Sequence, residues 1–220
     1  MVDLNEFFIL ENMTQDELSK IREFSNNQKC HKGETIFLES EPGNRMYLII
    51  SGLFKVFKSG INGRDKTLNL LGKGEFFGMT ALFSDGVRTN SVQALTEGIL
   101  MSIERDRYKE LISDFPDVAL KTIGILSSQL QHANQEIKDL TFKTIEDRLK
   151  NTLLELGDKF GTKEENYIRI EQKFTHKELA DIVGTTRETV TKLLSSLQDE
   201  DLIEIDNRTI FLNQRLIDEK

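Results

Sequence analysis

Short runs of apolar and β-branched residues dominate the first half of the chain. They are ETIFLES, MYLIISG, LFKVFKS, KTLNLLG, SVQALTE and ILMSIE. Turn signals separate them at Pro42-Gly43, Ser59-Gly60, Asn62-Gly63 and Asp85-Gly86. Regularly spaced short strands with such turns predict a β-sandwich or barrel. A helix precedes them, from Thr14 to Phe24, because TQDE is a capping box followed by helical periodicity.

The apolar period then lengthens into one long helix, from Phe115 to Leu140. Asp114 or Pro116 marks its start, since proline is accepted in a first helical turn. Apolar residues alternate by four and three, at Ala119, Ile123, Leu126, Leu130, Ala133, Ile137 and Leu140. This heptad seam predicts two such helices side by side. In the alternative, the stripe packs on its own chain, since Leu120 and Ile125 widen the apolar arc.

The stretch from Thr175 to Leu202 predicts two short helices joined by a tight turn. Thr175 and Glu178 form a capping box at the start of the first helix. Its apolar face consists of Leu179, Ile182 and Val183. Gly184 ends it, because glycine readily adopts the left-handed conformation of a helix end.

The second helix follows that turn directly. Thr185 or Thr186 caps it, with Glu188 placed to close another capping box. The residues that would hold it to a core are Val190, Leu193, Leu194 and Leu197. We predict a helix-turn-helix whose second helix presents polar side chains to a partner.

Those polar side chains are of types that contact DNA. Near the start of the second helix they are Arg187, Glu188, Thr191 and Lys192. An arginine can donate two hydrogen bonds to guanine, and a carboxylate can accept one from cytosine. Thr175, His176 and Lys177 could hold phosphates at the start of the first helix. The alternative is an ordinary surface helix hairpin with solvated charges.

The segment VGTTRETVTKLL also resembles the DNA-binding motif of the Crp/Fnr family of bacterial regulators. The matching residues are Gly184, Thr185, Thr186, Arg187, Glu188, Thr189, Val190 and Lys192. The family often has arginine in place of Lys192, and lysine lacks its planar two-bond fork. With this resemblance, the predicted DNA-contacting residues are Thr175, His176, Lys177, Thr186, Arg187, Glu188, Thr189, Thr191 and Lys192. DLIEIDNRTIFLN then predicts a hairpin around Asp206-Asn207, the wing of a winged helix.

The order of the N-terminal elements is similar to the cyclic-nucleotide-binding β-roll of the same family. The segments that carry this resemblance are KGETIFLESEPGNRMYLIISGLFKVFK and GKGEFFGMTALFSDGVRTNSV. Gly78 and the following MTALF indicate a short helix whose amides could face a phosphate, and Arg88 could pair with the same anion. The alternative is that Gly78 and Arg88 hold only a turn and a surface charge.

The resemblance also implies that contacts to cyclic AMP are missing. Members that bind cyclic AMP usually have glutamate where this chain has Met79, and Thr-Ser where it has Ala133 and Asn134. Arg88 and the hydroxyl residue after it, Thr89, remain. The predicted effector-binding residues are Gly78, Met79, Thr80, Arg88, Thr89, Ala133 and Asn134. Because each lost hydrogen bond costs roughly 1–3 kcal/mol, we expect an effector other than cyclic AMP.

Composition narrows the remaining possibilities. The 220 residues have room for two domains. The net charge of −8 does not exclude DNA, which responds to a local basic face. MVDLNEFFILENM lacks the basic start of a secretory signal, and no run approaches the ~20 apolar residues of a membrane span. A single cysteine fits a reducing cytoplasm.

Other sensor chemistries find little support. An iron-sulfur cluster needs about four cysteines, and only Cys30 is present. Haem is not expected, since a lone histidine such as His31 or His132 is more often a surface residue. Cys30 is either a thiol switch beside Lys29 and Lys32 or a buried spectator. No nucleophile and base, Walker loop or metal-ligand spacing indicates an enzyme.

We therefore predict an α+β protein: a cyclic-nucleotide-binding-type β-roll at 1–114, a dimerisation helix and hinge at 115–143, and a winged helix-turn-helix at 144–220. The interpretation is a cytoplasmic homodimeric regulator bound to palindromic double-stranded DNA, with RNA polymerase a partner by resemblance. The alternatives are a cyclic-AMP-responsive regulator, one that is controlled by its abundance or by Cys30, and a ligand-binding protein whose helix-turn-helix contacts proteins.

Overall fold

The apolar runs of the first half form two antiparallel sheets in the computed structural model, which describes residues 14–60 and 63–218. The strands are β1 (Ser25–Cys30), β2 (Thr35–Phe37), β3 (Arg45–Ser51), β4 (Phe54–Ser59), β5 (Asp65–Leu71), β6 (Phe76–Phe77), β7 (Ser91–Ala94) and β8 (Gly98–Glu104). One sheet has the order β1-β8-β3-β6 and the other β2-β7-β4-β5. All six predicted strands are present. The predicted turn residue Asn62 and the segment MVDLNEFFILENM lie outside the described residues.

Strand β3 lies at the centre because both of its faces are buried. Tyr47 and Ile49 join a cluster to which strands of both sheets contribute. Met46, Leu48 and Ile50 point the other way, into a cluster formed with the surrounding helices. A strand covered on both faces is apolar along its whole length, which explains the continuous run MYLII.

Among the described residues, four helices accompany the sheets. They are α1 (Gln15–Phe24), α2 (Thr80–Phe83), α3 (Arg105–Asp114) and α4 (Pro116–Phe142). The predicted capping box of α1 is confirmed, with Thr14 and Glu17 bonding reciprocally. Helix α3 was not predicted from the sequence; its buried residues are Tyr108 and Leu111. The Tyr108 hydroxyl bonds the Thr122 hydroxyl, which ties α3 to α4.

Helix α4 has one buried face and one exposed apolar face. Val118 and Thr122 are buried, and Ile125 packs against the same core as Tyr108. The exposed large apolar residues of α4 are Leu120, Ile123, Leu126, Leu130, Ile137, Leu140 and Phe142. The expectation that Leu120 widens the arc packed on the chain's own core is wrong, since it is 66% exposed.

A winged helix occupies the C-terminal part. Its elements are α5 (Ile145–Phe160), β9 (Gly161–Lys163), β10 (Tyr167–Ile170), α6 (His176–Val183), α7 (Arg187–Asp199), β11 (Ile203–Asp206), β12 (Thr209–Asn213) and α8 (Gln214–Ile217). The sheet order is β11-β12-β10-β9. The predicted wing hairpin is present, but its two-residue loop is Asn207-Arg208 rather than Asp206-Asn207, because Asp206 pairs with Thr209.

The described residues form two compact units. The first contains residues 14–60 and 68–131, and the second contains residues 63–67 and 132–218. Helix α4 contributes to both. Within the part of the chain that the structure describes, no helix is long and apolar enough to cross a membrane.

Candidate nucleic-acid interface and effector pocket

The helix-turn-helix is fixed by its caps and its turn. Thr175 accepts a hydrogen bond from the Glu178 amide at 3.1 Å, and the Glu178 carboxylate accepts one from the Thr175 amide at 2.6 Å. Gly184 has φ 79° and ψ 49°, the left-handed conformation that ends α6. Both sequence predictions are confirmed. The turn therefore sets where α7 begins relative to α6.

Thr186, of the two threonines in the turn, is the cap of α7. Its hydroxyl accepts from the Thr189 amide at 3.2 Å, while the Thr185 amide donates back to Ala180. Thr189 is thus the third helical residue, and the expected capping box with Glu188 is not formed. Hydrogen bonds from its own amide and from Thr186 instead lower the pKa of the Glu188 carboxyl.

The outer face of α7 is charged and open. Arg187, Glu188, Thr191 and Lys192 are exposed, whereas Val190, Leu194 and Leu197 are buried and Leu193 is half-buried. Neither Arg187 nor Lys192 has a hydrogen-bonded or ion-paired side chain among the residues that the structure describes. These two cations are therefore available to a ligand.

The predicted contact residues at the N-terminus of α6 lie close to α7. The His176 ring contacts the Thr191 hydroxyl at 2.8 Å. Lys177 forms an ion pair with Asp181 one turn along α6. The structure thus places the predicted phosphate-contacting residues of α6 beside the exposed N-terminal half of α7.

A cleft of about 460 Å³ separates these helices from the wing. Its lining residues are Phe174, Thr175, His176, Lys177, Leu179, Arg187, Leu194, Ile205, Arg208 and Ile210. Arg208, from the wing loop, was absent from the sequence predictions. The sequence does contain a feature that points to Arg208, because the two-residue loop of this hairpin is Asn-Arg, whereas such a loop is usually Asn-Gly.

Arg88, the predicted anion-binding residue, is buried and bonded to backbone carbonyls of its own unit. It is 5% exposed and donates to the carbonyls of Arg45 and Gly78 at 2.8 and 3.0 Å. Its guanidinium lies 4.0 Å from the centre of the Phe37 ring. The alternative of a surface charge is wrong. Burial lowers the pKa of this guanidinium, and its Nε has no partner within the described part of the chain.

The other predicted effector residues are placed differently. Met79 is 4% exposed and packs in the core with the helices. Thr80 and Thr89 are exposed. Ala133 and Asn134 lie on the exposed surface of α4, in the second unit. Within the first unit, then, the structure brings together Gly78 and Arg88.

Cys30 and His31 are two of the remaining sensor candidates. Cys30 is fully buried, and burial raises the pKa of its thiol, which makes a reactive thiolate unfavourable. The buried-spectator interpretation fits this position. His31 is exposed and lies 3.1 Å from Glu97.

Comparison with known proteins identifies both halves. The family model of the cyclic nucleotide-binding domain matches residues 27–115, and that of the Crp-like helix-turn-helix domain matches residues 147–216. A CRP-like cAMP-activated global transcriptional regulator of Mycobacterium tuberculosis is 33% identical over 182 residues, covering 83% of this chain and 81% of that protein. A global nitrogen regulator of Synechocystis is 30% identical, covering 81% and 80%.

Solved structures give the same result. A Crp/Fnr-family transcriptional regulator of Thermus thermophilus is 30% identical with a TM-score of 0.72, covering 88% of this chain and 97% of that one. The c-di-GMP-responsive regulator CLP of Xanthomonas campestris, at 24% identity, shares the fold with a TM-score of 0.80 over 91% and 99% of the chains. A two-sheet domain joined to a winged helix, with these relatives, shows that the chain belongs to the Crp/Fnr family of transcription regulators, which are not enzymes.

Proposed function

We propose that the protein is a homodimeric regulator that binds a palindromic DNA site through α7 and responds to an effector other than cyclic AMP. The observation that carries the DNA-binding part is the pair of exposed cations on the outer face of α7, Arg187 and Lys192. Neither side chain forms a hydrogen bond or ion pair within the described part of the chain. A recognition helix enters the major groove with the residues of its N-terminal half. Arg187 would contact guanine, and Lys192 would add a single point charge.

The phosphate contacts would come from the start of α6. Thr175, His176 and Lys177 flank α7, where the neighbouring DNA backbone passes. Thr186, Glu188, Thr189 and Thr191 complete the proposed contact set. Glu188 would accept from a cytosine amino group as an ionised carboxylate, a state that its lowered pKa favours.

Dimerisation would use the exposed apolar face of α4. In a single chain, Ile123, Leu130 and Ile137 are 59%, 63% and 63% exposed. These residues recur at heptad spacing, which favours a helix pair that removes them from water. Two copies related by a two-fold axis would present two recognition helices, which matches a palindromic operator.

The effector would bind near Arg88 without the sugar and base contacts of cyclic AMP. Met79 is buried in the core and has no donor or acceptor for a ribose hydroxyl. Thr80 and Thr89 carry exposed hydroxyls in this region, and Asn134 is an exposed amide on α4. A small anion other than cyclic AMP is therefore the proposed class of ligand. Its binding would shift the population of DNA-binding conformations.

Family membership supports the remaining parts of the proposal. RNA polymerase is the proposed protein partner, and the cytoplasm the proposed location, as for transcription regulators in general. A second candidate is a cyclic-AMP-responsive regulator, favoured by the name of the Mycobacterium tuberculosis relative.

Selection from a random-sequence duplex pool by the purified full chain tests the proposal. We expect an enriched sequence with two-fold symmetry, bound in a gel shift at nanomolar protein, with weaker binding to an unrelated duplex. Failure to enrich any sequence would contradict DNA recognition. Enrichment of a single unrepeated half-site would contradict the dimer.

A further inference from the structure

The ring of His176, at the start of α6, is held in one orientation by α7. Its Nδ1 atom lies 2.8 Å from the hydroxyl oxygen of Thr191. That hydroxyl donates its hydrogen one turn back along α7, to the carbonyl of Arg187 at 2.9 Å. A hydroxyl group has a single hydrogen, so the Thr191 oxygen accepts from the ring. Nδ1 of His176 therefore carries a hydrogen atom.

The second ring nitrogen, Nε2, is the atom of His176 that can meet a ligand. It forms no hydrogen bond with the residues that the structure describes, and it reaches the solvent. Because Nδ1 already carries its hydrogen, Nε2 of the neutral ring has a lone pair and is an acceptor. A phosphate oxygen is an acceptor too, so the neutral ring has nothing to donate to it. The imidazolium form has a hydrogen on both nitrogens and can donate to phosphate.

Positive charges surround His176 on the side that faces the wing. The 460 Å³ cleft beside the ring is also lined by Lys177, Arg187 and Arg208, and none of its described lining residues is a carboxylate. Lys192 adds a further cation on the outer face of α7. Nearby cations disfavour protonation of an imidazole, whereas a bound phosphate favours it. An anion that enters this cleft would therefore bring a proton with it.

The carboxylates of the two helices do not supply that negative charge. Glu178 accepts two hydrogen bonds from the residue that caps α6. Asp181 pairs with Lys177, and Glu188 is bonded at the start of α7. None of the three forms a hydrogen bond or ion pair with His176 in the described part of the chain. A protonated His176 has no counter-ion there until a ligand provides one.

We propose that DNA binding is coupled to protonation of His176, whose Nε2 then donates to a backbone phosphate. The inference rests on the proposed function, in which the start of α6 contacts the DNA backbone. Thr191 is a positioning residue in this arrangement, because its hydroxyl holds Nδ1 and leaves Nε2 to the ligand. Each His176 that engages DNA takes up one proton from the solvent, so affinity for every duplex rises as the pH falls.

Variants of the three histidines test this coupling. Binding by the full chain is measured by fluorescence anisotropy between about pH 5.5 and 8.5, the range in which histidine side chains titrate. The duplex that the wild type selects and an unrelated duplex are both used. His176→Gln cannot be protonated, and His176→Arg has a permanent charge. His31→Gln and His132→Gln are the matched controls, since these are the other histidines of the chain.

We expect the wild type to bind both duplexes more tightly at about pH 6 than at about pH 8, by roughly tenfold for each half-site. His176→Gln should bind at both pH values with the weaker wild-type affinity, and His176→Arg with the stronger one. The two controls should keep the wild-type profile. In the wild type, the slope of log affinity against log salt should be steeper at low pH by about 1 for each half-site, as for one added phosphate contact.

Two variants of Thr191 test its positioning role. Thr191→Val removes the hydroxyl and keeps the branched shape, so the gain in affinity at low pH should shrink. Thr191→Ser keeps the hydroxyl and should restore that gain. Thr191 is exposed, so the melting temperatures of the free variants should match that of the wild type at each pH. A wild-type pH profile in Thr191→Val would show that Thr191 does not position the ring.

Several results would overturn the coupling. DNA affinity of the wild type that does not change with pH would do so, as would a wild-type pH profile in His176→Gln. Affinity that rises with pH would instead assign the neutral Nε2 to a base amino group in the groove. A lower melting temperature in His176→Gln would assign the ring a structural role. A wild-type chain that selects no duplex would defeat the proposed function itself, before any variant is compared.

Discussion

Arg88 shows how one side chain can organise several loops. Its guanidinium reaches the carbonyls of Arg45 and Gly78 and stacks on Phe37. Two glycines make room for it, because a Cβ on Gly43 would lie 2.7 Å from its Cδ and one on Gly78 would lie 2.7 Å from its Nη1. The segment proposed to bind an effector is therefore built around an arginine that is already partly bonded.

Gly43→Ala should destabilise the first unit for this reason. The added methyl group meets a buried guanidinium that is held by two carbonyls and cannot move aside freely, so we expect a loss of about 1–3 kcal/mol in the free energy of unfolding. Chemical denaturation measures it. Gly124→Ala is the control, since a Cβ there meets open space on α4 and should stabilise by roughly 0.5–1 kcal/mol. Equal stability of the two variants would show that Arg88 is not fixed.

Arg187→Ala should weaken binding to the selected duplex by about 1–3 kcal/mol and relax the base preference at one position of each half-site. Arg187 is exposed at the start of α7, and its side chain forms no hydrogen bond or ion pair with the described residues, so its loss leaves the fold unchanged. Repeated selection and a binding titration test this. Lys163→Ala, an exposed lysine of β9, is the control. An unchanged selected sequence would remove Arg187 from base recognition.

Helix α4 has two faces with different environments. The buried face, with Val118, Thr122 and Ile125, belongs to the core of the first unit. The exposed face carries the heptad residues. They form one apolar stripe along the helix, whereas exposed apolar residues on a protein surface are normally scattered singly. The sequence pattern alone left open which partner the stripe would have. The exposure of the heptad residues in the single chain favours a second copy.

Leu130→Glu should therefore break the proposed dimer and leave the monomer folded. Leu130 is 63% exposed in the single chain, so a carboxylate there is solvated in the monomer. In a dimer, two carboxylates would face each other in an apolar seam, which costs several kcal/mol. Sedimentation velocity should give monomers and DNA binding should be lost, whereas Gln129→Glu, with the same added charge beside the seam, should stay dimeric. A stable Leu130→Glu dimer would place the interface elsewhere.

In the proposed function, control of the whole molecule depends on what binds near Arg88. Some relatives are described as cAMP-activated, and one of these is 33% identical to this chain. This chain keeps Arg88 and Thr89, but Met79 faces the core and Ala133 cannot hydrogen-bond through its side chain. Family membership and the identity of the effector are thus separate questions.

Cyclic AMP should bind weakly or not at all, and DNA affinity should not change on its addition, because ribose and adenine would lose partners worth roughly 1–3 kcal/mol each. Isothermal titration calorimetry of the full chain measures binding, and a titration of the selected duplex measures the response. Micromolar binding with a matching rise in DNA affinity would overturn this. It would also indicate that Thr80 and Thr89 supply some of the missing contacts.

Local patterns in the sequence were sufficient wherever neighbours along the chain decide the conformation. The capping boxes at Thr14 and Thr175 and the left-handed Gly184 follow from residues within three or four positions. The apolar strand runs also predicted their strands, because side chains of period two or of continuous burial leave a clear pattern. The helix-turn-helix, and with it most of the proposed DNA-binding face, was predictable for the same reason.

Tertiary structure alone decided the features that depend on residues far apart in sequence. Strand β1, SNNQKC, has no apolar pattern and forms because its backbone pairs with that of β8. Ser25 pairs with Ile103 at one end, and Cys30 pairs with Gly98 at the other. Arg88 is buried because Phe37, Gly43 and Gly78 lie around it. Arg208 and Arg187 line the same cleft because the wing lies beside α7. The short-range pattern of apolar residues does not predict these contacts, because they depend on how the elements pack against one another after each has formed.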